Sequence, residues 1–521
     1  MTWDTLKQRD FRIFALATKP ESSFKLIMFD TINTLYPDYC TTTKLDELRA
    51  NEYSYLDQQD HIYLDYTGSG LAANSQHRHH QERLTKNVYG NPHSTNPTSL
   101  AASEAINQTR DRILSYFNAP ASEYAVVFTP NATGAARLVA EAYPFRPRSR
   151  FVLTEDNHNS VQGIREFARA GGAKTVYIPL QKSDLRIDDK DVIAALTPKT
   201  SRRRFMTWCS QDRRTTAEPN GLFAYPAQSN FSGVQHPLSW IDVAQKRGYH
   251  VLLDAAAYLP TSQLDLSQVK PDYILVSWYK LFGYPTGLGC LIARRDALEY
   301  LRPRRPWFSG GTVQVVLVSH PWHLTASRIE EVFEDGTLNF LSIPDIHFGL
   351  DWISQIGIPV ISTRVRCLTG WFLTRLLSLR HSNGMPMARV YGPTDMTMRG
   401  GTVAFNLIDM SGRLVDERLV EMEATVAKIS LRTGCFCNPG VGEKITEGDF
   451  KHGLNKISSK RRSWSSEEMK KLTGATTLGA ARVSFGLASN VDDVNKFISF
   501  LEKVFKDRET SGIELEPRNR C

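Results

Sequence analysis

Apolar and polar positions between residues 62 and 344 follow two alternating patterns. Nearly continuous apolar runs predict short buried strands: "YAVVFT", "RFVLTE", "KTVYIPL", "GYHVLLDAA", "YILVSW" and "GCLIAR". The stretch "PTSLAASEAINQTRDRILSYF" instead places Ala102, Ile106, Ile113 and Phe117 near one face at helical spacing. Continuous apolar strands separated by helices are typical of a mostly parallel sheet covered on both faces. This part of the chain is therefore predicted to be α/β.

The pattern changes after residue 344. Helix-like "FGLDWISQIG" and "VRCLTGWFLTRLLSLRH" precede strand-like "GTVAFNLID" and "KISLR", and "DDVNKFISFLEKVFK" predicts a last helix. The stretch "WCSQDRRTTAEPNG" (208–221) lacks periodicity and is predicted to be an irregular loop. The predicted organisation comprises an N-terminal extension (1–45), a large α/β domain (46–345), a smaller α+β domain (346–508) and a tail (509–521).

The composition of the 521 residues, 41% hydrophobic and 23% charged, is that of a globular protein. No apolar run approaches the roughly 20 residues of a membrane span. The N-terminal stretch carries charges and lacks a clean apolar core, so a secretory signal is not expected. Seven cysteines, an odd number, do not form a disulfide framework in so long a chain. We therefore expect a cytoplasmic protein without a membrane partner.

The chain has a net charge of +8 and contains short basic clusters such as "SRRRF", "RPRRPW" and "SSKRRSW". Clusters this short are usually solvated loops, so no nucleic-acid partner is expected. Attraction of an anionic cofactor is the more plausible consequence of the charge.

Two predicted neighbouring strands end in residues that carry chemistry. "GYHVLLDAAAY" reaches Asp254, and "DYILVSWYKLFGYPTGLG" runs through Ser277 to Lys280. Ligands bind beyond the carboxyl ends of strands in open parallel sheets. A lysine that forms a Schiff base and a carboxylate that keeps the ring nitrogen protonated are the minimal set for pyridoxal phosphate. Spacing alone, however, favours a surface lysine and an aspartate that caps a helix.

A candidate phosphate site lies in "VVFTPNATGAARLVAEAY", which predicts a strand, a turn of small residues and a helix. Backbone N–H groups at such a helix start bind phosphate, and Thr133 can add a hydroxyl. An ordinary N-cap explains the same residues equally well.

Two cysteines, Cys435 and Cys437, lie one residue apart in "KISLRTGCFCNPGVGEK". The stretch predicts an exposed, mobile loop on which a thiolate could act as a nucleophile. A buried thiol pair and half of a metal site are the alternatives. A zinc site needs further ligands, and no second close pair of cysteines or histidines has suitable spacing, so we expect no metal.

Several stretches together resemble the class V aminotransferase and cysteine desulfurase branch of fold-type-I pyridoxal-phosphate enzymes. Within it, the chain is most similar to the desulfurase-like N-terminal part of molybdenum cofactor sulfurases. The resemblance covers about residues 60–505 and implies a seven-stranded, mostly parallel sheet in the large domain. We expect no counterpart of that family's C-terminal, molybdenum-cofactor-binding domain. The stretches are "YLDYTGSGLAANSQ", "YGNPHS", "FTPNATGAARLVAEAY", "LTEDNHNSVQGIRE", "LFAYPAQSNFSGVQHPLSW", "LLDAAAYLPT", "SWYKLFGYPTGLG", "SGGTVQ", "FEDGTLNFLSIP", "LRTGCFCNPG" and "ARVSFG".

The resemblance implies a cofactor-binding role for individual residues. Lys280 would form the Schiff base with pyridoxal 5'-phosphate, and Asp254 would pair with its ring nitrogen. The phosphate would be held by Ala132, Thr133 and Ser277. Other contacts are implied for His158 (stacked on the ring and acting near Cα), Asn230 (near the ring hydroxyl or the substrate carboxylate), Tyr279 (in place of the histidine of simple desulfurases) and Thr312 (reaching the phosphate of a neighbouring subunit in a homodimer).

The resemblance also implies a reaction. Arg482 would grip the carboxylate of L-cysteine or a related sulfur amino acid. Cys437 would take the sulfur as a persulfide, release alanine and pass the sulfur to an unknown acceptor, with Cys435 as an accessory thiol. One alternative is a pyridoxal-phosphate-dependent carbon–sulfur lyase or decarboxylase of a specialised pathway. Another is an inactive paralogue that acts as an interaction subunit.

Overall fold

The computed structural model describes residues 32–197, 218–446, 468, 479–513 and 515–516. Most of the predicted N-terminal extension, most of the predicted loop 208–221 and part of the predicted tail lie outside these residues. Among the described residues, no helix has the length and apolar character that a membrane span requires.

The strands of the described residues are numbered in chain order. They are β1 (Ile62–Tyr63), β2 (Tyr124–Thr129), β3 (Arg150–Thr154), β4 (Lys174–Ile178), β5 (Gly221–Pro226), β6 (Tyr249–Asp254), β7 (Tyr273–Ser277), β8 (Gly289–Arg294), β9 (Val313–Leu317), β10 (Trp322–Thr325), β11 (Ala388–Tyr391), β12 (Thr402–Leu407), β13 (Ile429–Ser430), β14 (Arg432–Gly434) and β15 (Ala480–Ser484).

The helices are numbered in the same way, and two 3-10 helices cover Pro37–Thr42 and Arg302–Arg304. They are α1 (Lys44–Glu52), α2 (Ser54–Gln58), α3 (Asn74–Lys86), α4 (Pro97–Tyr116), α5 (Ala132–Ala142), α6 (Asn159–Gln162), α7 (Ile164–Ala170), α8 (Asp189–Leu196), α9 (Trp240–Gln245), α10 (Trp278–Phe282), α11 (Arg295–Leu301), α12 (Ile329–Val332), α13 (Ile343–Ile356), α14 (Ile358–Ser378), α15 (Glu417–Val426), α16 (Pro439–Ile445) and α17 (Val491–Phe505).

The large sheet has seven strands in the order β2-β8-β7-β6-β5-β3-β4. Strands β3 to β7 pair in parallel, and β8 runs antiparallel between β2 and β7. Separate apolar clusters cover the two faces, which explains why the strands are apolar on both sides. The predicted α/β class with a mostly parallel sheet is confirmed.

A second, antiparallel sheet of four strands has the order β11-β12-β15-β14. Helix α14 packs against the last helix, α17, and aromatic rings fill the space between these helices and the sheet. The centroid of the Phe372 ring lies 6.1 Å from that of Phe405 and 5.9 Å from that of Phe497. The short strand β1 pairs in parallel with β13, so the segment before the large sheet is attached to this smaller α+β unit.

Candidate active site

Helix α10, directly after β7, faces the loop between β14 and α16 across a cavity of about 400 Å³. A smaller cavity of about 90 Å³ adjoins it on the side of α5. Both cavities are lined by His158, Asn230, Tyr279 and Lys280. The structure therefore brings residues from distant parts of the sequence to one place.

Lys280 lies in α10, directly after β7, and Asp254 is the last residue of β6. The two strands are adjacent and parallel, with Asp254 opposite Leu275. Burial lowers the pKa of the Lys280 amine, the Asp254 carboxylate opposes this shift, and the Arg482 guanidinium adds to it. A lysine with a lowered pKa is more often neutral near pH 7, which is the form that attacks a carbonyl carbon.

Hydroxyl and backbone donors line the smaller cavity where helix α5 begins. Helix α5 begins at Ala132, and the Asn131 side chain caps it by accepting from the Gly134 N–H at 2.9 Å. The Thr133 Oγ1 lies 2.7 Å from the Ser160 Oγ, and Ser277 lines the same cavity. The N–H groups of a first helical turn lack acceptors within the helix, so this end suits an anion.

Strand β8 passes close behind the start of α5. A Cβ at Gly289 would lie 2.7 Å from the Ala132 nitrogen and 2.6 Å from the Asn131 carbonyl carbon. Only glycine therefore fits where this strand passes the start of α5.

His158 lies between the two cavities, at the turn after β3. Its Nδ1 accepts from the backbone N–H of Ser160 at 3.1 Å, which places the proton of a neutral ring on Nε2. Burial lowers the pKa of His158, although the Asp254 carboxylate acts in the opposite direction. The ring is consequently neutral near pH 7 and able to stack on a flat aromatic ligand.

Arg482, in β15, is 2% exposed at the wall of the larger cavity. Its Nη2 donates to the Asp65 Oδ1 at 2.8 Å, and its Nη1 donates to the Asn230 carbonyl at 2.9 Å. The Nε is buried without a hydrogen-bond partner among the described residues. Burial also lowers the pKa of this guanidinium. A carboxylate in the cavity would accept from guanidinium N–H groups that Asp65 and Asn230 leave unused.

Sequence reasoning missed Asp65 and Arg432. The Arg432 guanidinium donates to the Asp65 Oδ2 at 2.7 and 3.0 Å, while Arg482 binds the other oxygen of the same carboxylate. Two guanidinium groups share one carboxylate, so a positive charge remains to attract an anionic group. Both residues lie in stretches that carry the resemblance, but only the tertiary structure shows their contact.

The cysteine loop, defined here as residues 435–438 between β14 and α16, brings Cys437 into the larger cavity with Lys280 and Arg482. The expectation of an exposed loop is wrong, because Cys435 and Cys437 are half-buried and Phe436 is 5% exposed. The Phe436 ring packs on Phe231, with 4.8 Å between the ring centroids. This ring contact anchors the loop to the protein interior.

Of the remaining predicted residues, Asn230 lines the cavities and Thr312 does not. Asn230 is in the wall, but its Nδ2 donates to the Phe436 carbonyl at 2.8 Å and its Oδ1 accepts from Asn438 at 2.9 Å. Thr312 lies outside both cavities, and its hydroxyl donates to the Ser309 carbonyl at 2.9 Å. Within one chain, therefore, the structure assembles the predicted set except Thr312.

Among the described residues, no group of three or more histidine, cysteine, aspartate or glutamate side chains is arranged to hold a metal ion.

Comparisons with known proteins agree with this architecture. The family described as "Aminotransferase class-V" matches residues 62–497. A molybdenum cofactor sulfurase from Solanum lycopersicum is 36% identical over 499 residues, which cover 93% of this chain and 60% of that protein. The chain spans only 51–60% of the length of the first curated relatives that it matches.

Solved structures have the same fold. A cysteine desulfurase from Thermococcus onnurineus NA1 superposes with a TM-score of 0.69 at 21% identity, covering 88% of this chain and 97% of that one. A C-DES mutant with glycine covalently linked to its PLP cofactor gives a TM-score of 0.63 at 15% identity, covering 88% and 99%. The predicted fold-type-I architecture is thus confirmed, and the family match over most of the sequence shows that this chain belongs to the aminotransferase class-V family.

Proposed function

We propose that this protein is a pyridoxal-phosphate-dependent L-cysteine desulfurase that carries the released sulfur as a persulfide on Cys437. One observation carries the proposal: a lysine, a buried arginine and a cysteine thiol, at positions 280, 482 and 437, line a single cavity. The names of the similar proteins, which are sulfurases and desulfurases, support the same activity.

The residues of the smaller cavity fit pyridoxal 5'-phosphate. Lys280 would bind the aldehyde carbon, Asp254 the ring nitrogen, and the start of α5 with Thr133 and Ser277 the phosphate. When bound, this cofactor supplies an electrophilic carbon and an electron sink for negative charge at the substrate Cα.

The side chains of the larger cavity would then handle the substrate. Arg482 binds the carboxylate of L-cysteine, and Asp65 holds the guanidinium in place. The neutral amine of Lys280 removes the proton from Cα and returns a proton later. The neutral imidazole of His158 lines the same cavities and would stack on the ring of the cofactor.

Cys437 would perform the sulfur transfer. Its thiolate attacks the sulfur of the substrate, a new S–S bond forms, and the Cβ–S bond breaks. The electron pair of that bond stays with the three-carbon fragment, which takes up a proton and leaves as alanine. The persulfide on Cys437 is then reduced by a thiol or transferred to a separate acceptor protein or small molecule.

A homodimer would complete the cofactor site. The hairpin β9–β10 exposes large apolar side chains: Val315, Val316, Leu317, Val318, Trp322 and Leu324. An apolar cavity of about 380 Å³, bordered by Trp307, Leu138 and Leu338, lies beside α5. Exposed apolar patches of this kind mark protein interfaces. In the proposed dimer, the buried Thr312 hydroxyl at the base of the hairpin exchanges its hydrogen bonds with Ser309 for one to the phosphate of the partner.

We also propose a cytoplasmic location. The described cysteines Cys40, Cys290, Cys367, Cys435 and Cys437 all carry thiols. Thiols, including a persulfide carrier, are maintained in a reducing compartment.

The test supplies purified protein with L-cysteine and dithiothreitol and measures alanine and sulfide. Wild type should produce both in equal amounts, whereas Lys280→Ala and Cys437→Ser should each lose turnover by a factor of roughly 100 or more. A Cys437→Ser enzyme that still makes sulfide together with pyruvate would identify a carbon–sulfur lyase. Wild-type protein that acquires no cofactor absorbance with pyridoxal phosphate would indicate the inactive interaction subunit.

A further inference from the structure

The cysteine loop contains two consecutive residues in the left-handed region of the backbone. Phe436 and Cys437 both have φ of +53°. In this region the Cβ of an L-residue approaches the following carbonyl oxygen, so side chains other than glycine rarely adopt it. A pair of such residues persists only when the surrounding structure holds it in place.

Hydrogen bonds hold the three carbonyl groups of this turn, at residues 435, 436 and 437. The Asn159 N–H donates to the Cys437 carbonyl at 2.7 Å, and the Asn438 N–H donates to the Cys435 carbonyl at 2.9 Å. The Asn230 side chain donates to the Phe436 carbonyl at 2.8 Å. The loop is therefore fixed to the turn that carries His158 and to the segment around Asn230.

The side chain of Asn438 connects the turn after β3 to the segment around Asn230. It is fully buried, and its Nδ2 donates to the Asp156 carbonyl at 2.7 Å and to the Asn230 Oδ1 at 2.9 Å. Its Oδ1 accepts from the Val441 N–H at 3.4 Å and caps α16. The amide group thus supplies two donors to the cavity wall and one acceptor to the helix.

Asn230 and Phe436 also contact Arg482, which would bind the carboxylate of the substrate. Arg482 donates to the Asn230 carbonyl, and its guanidinium carbon lies 4.7 Å from the centroid of the Phe436 ring. A shift of Asn230 or Phe436 would therefore move the thiol relative to the guanidinium.

We propose that Asn438 is a positioning residue that holds the Cys437 thiol in the larger cavity, at a fixed distance from Lys280 and Arg482. The proposal rests on the proposed desulfurase function, and it adds a residue that touches neither the substrate nor the cofactor. Its two side-chain donors, and not its helix-capping acceptor, perform this role.

The test compares variants that keep the cap and lose the donors. Asp and Ser are both good N-caps, so Asn438→Asp and Asn438→Ser should retain α16 while removing the hydrogen bonds to Asp156 and Asn230. If Asn438 only capped the helix, Asn438→Ser, which introduces no buried charge, would behave like wild type. Asn96, which caps α4 through its side chain at an exposed position, provides the matched control Asn96→Asp.

Two readouts are measured on holoenzyme. Iodoacetamide alkylation of Cys437, followed by peptide mass spectrometry with the exposed Cys40 as internal reference, should be at least about threefold faster in both Asn438 variants. The kcat for sulfide release should fall by about tenfold or more, while the KM for L-cysteine stays within about threefold. Asn96→Asp should match wild type in both.

Alkylation and kcat within about twofold of wild type in folded Asn438→Asp and Asn438→Ser would overturn the proposal. Equal loss of kcat in the Asn96→Asp control would overturn it as well. If Cys437→Ser retains wild-type sulfide release, the persulfide route itself fails. The alkylation rates do not depend on turnover, so they still decide whether Asn438 holds the thiol.

Discussion

At the scale of single residues, the cavity concentrates positive charge around an amine that must be neutral to react. Burial lowers the pKa of Lys280, the Asp254 carboxylate opposes this shift, and the guanidinium groups of Arg482 and Arg432 add to it. The charge that attracts a substrate carboxylate therefore also favours the reactive form of the lysine.

This arrangement predicts a pH-dependent stability difference between cofactor-free wild type and Lys280→Met. The pKa of Lys280 is below its ordinary value of 10.5 in the folded protein, so between these two values the unfolded chain binds more protons. The free energy of unfolding of wild type should consequently rise, relative to Lys280→Met, as the pH increases from about 7 to about 10. Urea unfolding of both proteins across this range measures the difference. A constant difference would show that the amine has its ordinary pKa.

Some site residues could be predicted from the sequence because their position follows from a local element. Asp254 and Lys280 follow apolar strands, and Thr133 begins a helix after a turn of small residues. Asp65 and Asn438 were not predicted, since their partners lie 417 and 282 residues away in the chain. Nothing in the local pattern shows which distant group a polar side chain meets.

At the scale of elements, the strand prediction for the large sheet succeeded where apolar runs are continuous and failed at β5, and outside that sheet it missed β1, β9, β10, β11 and β15. This strand, "GLFAYP", is fully buried, but it contains glycine and proline and follows the irregular stretch 208–221. The cysteine loop was predicted as exposed because glycine, proline and asparagine are typical of surface turns. Contacts from other elements cover this turn, and local composition carries no information about them.

Helix α16 provides an element-scale prediction. A Cβ at Gly440 would lie 2.1 Å from the Glu155 carbonyl oxygen, which is backbone and cannot rotate away. Gly440→Ala should therefore push α16 off the β3 turn, lower the free energy of unfolding by about 1–3 kcal/mol and slow sulfide release. Chemical denaturation and the desulfurase assay measure the two effects.

The matched control lies two residues further along the same helix. A Cβ at Gly442 would lie 3.8 Å from the Cys435 Cβ, an ordinary contact. Gly442→Ala should consequently be neutral or stabilising by up to about 1 kcal/mol, because alanine favours the helix. If both variants lose stability equally, close packing of α16 on Glu155 is not the cause.

At the scale of the whole molecule, the proposed site belongs to neither structural unit alone. The large sheet positions Lys280, Asp254 and His158, whereas the four-stranded sheet and its loop supply Arg482 and Cys437. The substrate would therefore bind only when the two units are packed as they are here. The same logic extends to the proposed dimer, in which the cofactor phosphate gains a contact from another chain.

The last prediction tests that dimer through the hairpin β9–β10. Val315 and Leu324 are opposite each other across the two strands, and each is 44% exposed. Val315→Lys combined with Leu324→Glu replaces an apolar pair by an oppositely charged pair, which preserves the hairpin while removing apolar surface from the interface. Light scattering should then give the mass of one chain, 58.8 kDa, where wild type gives twice that mass.

The same variant should also lose pyridoxal phosphate more readily on dialysis, because the partner's Thr312 no longer reaches the phosphate. Val426→Glu, at an 81% exposed position on α15, adds charge away from the hairpin and should remain dimeric with its cofactor bound. A wild-type protein with the mass of one chain and full cofactor retention would contradict the dimer. A dimeric hairpin variant would place the interface elsewhere on the surface, because two charges buried at the centre of an apolar contact would prevent association.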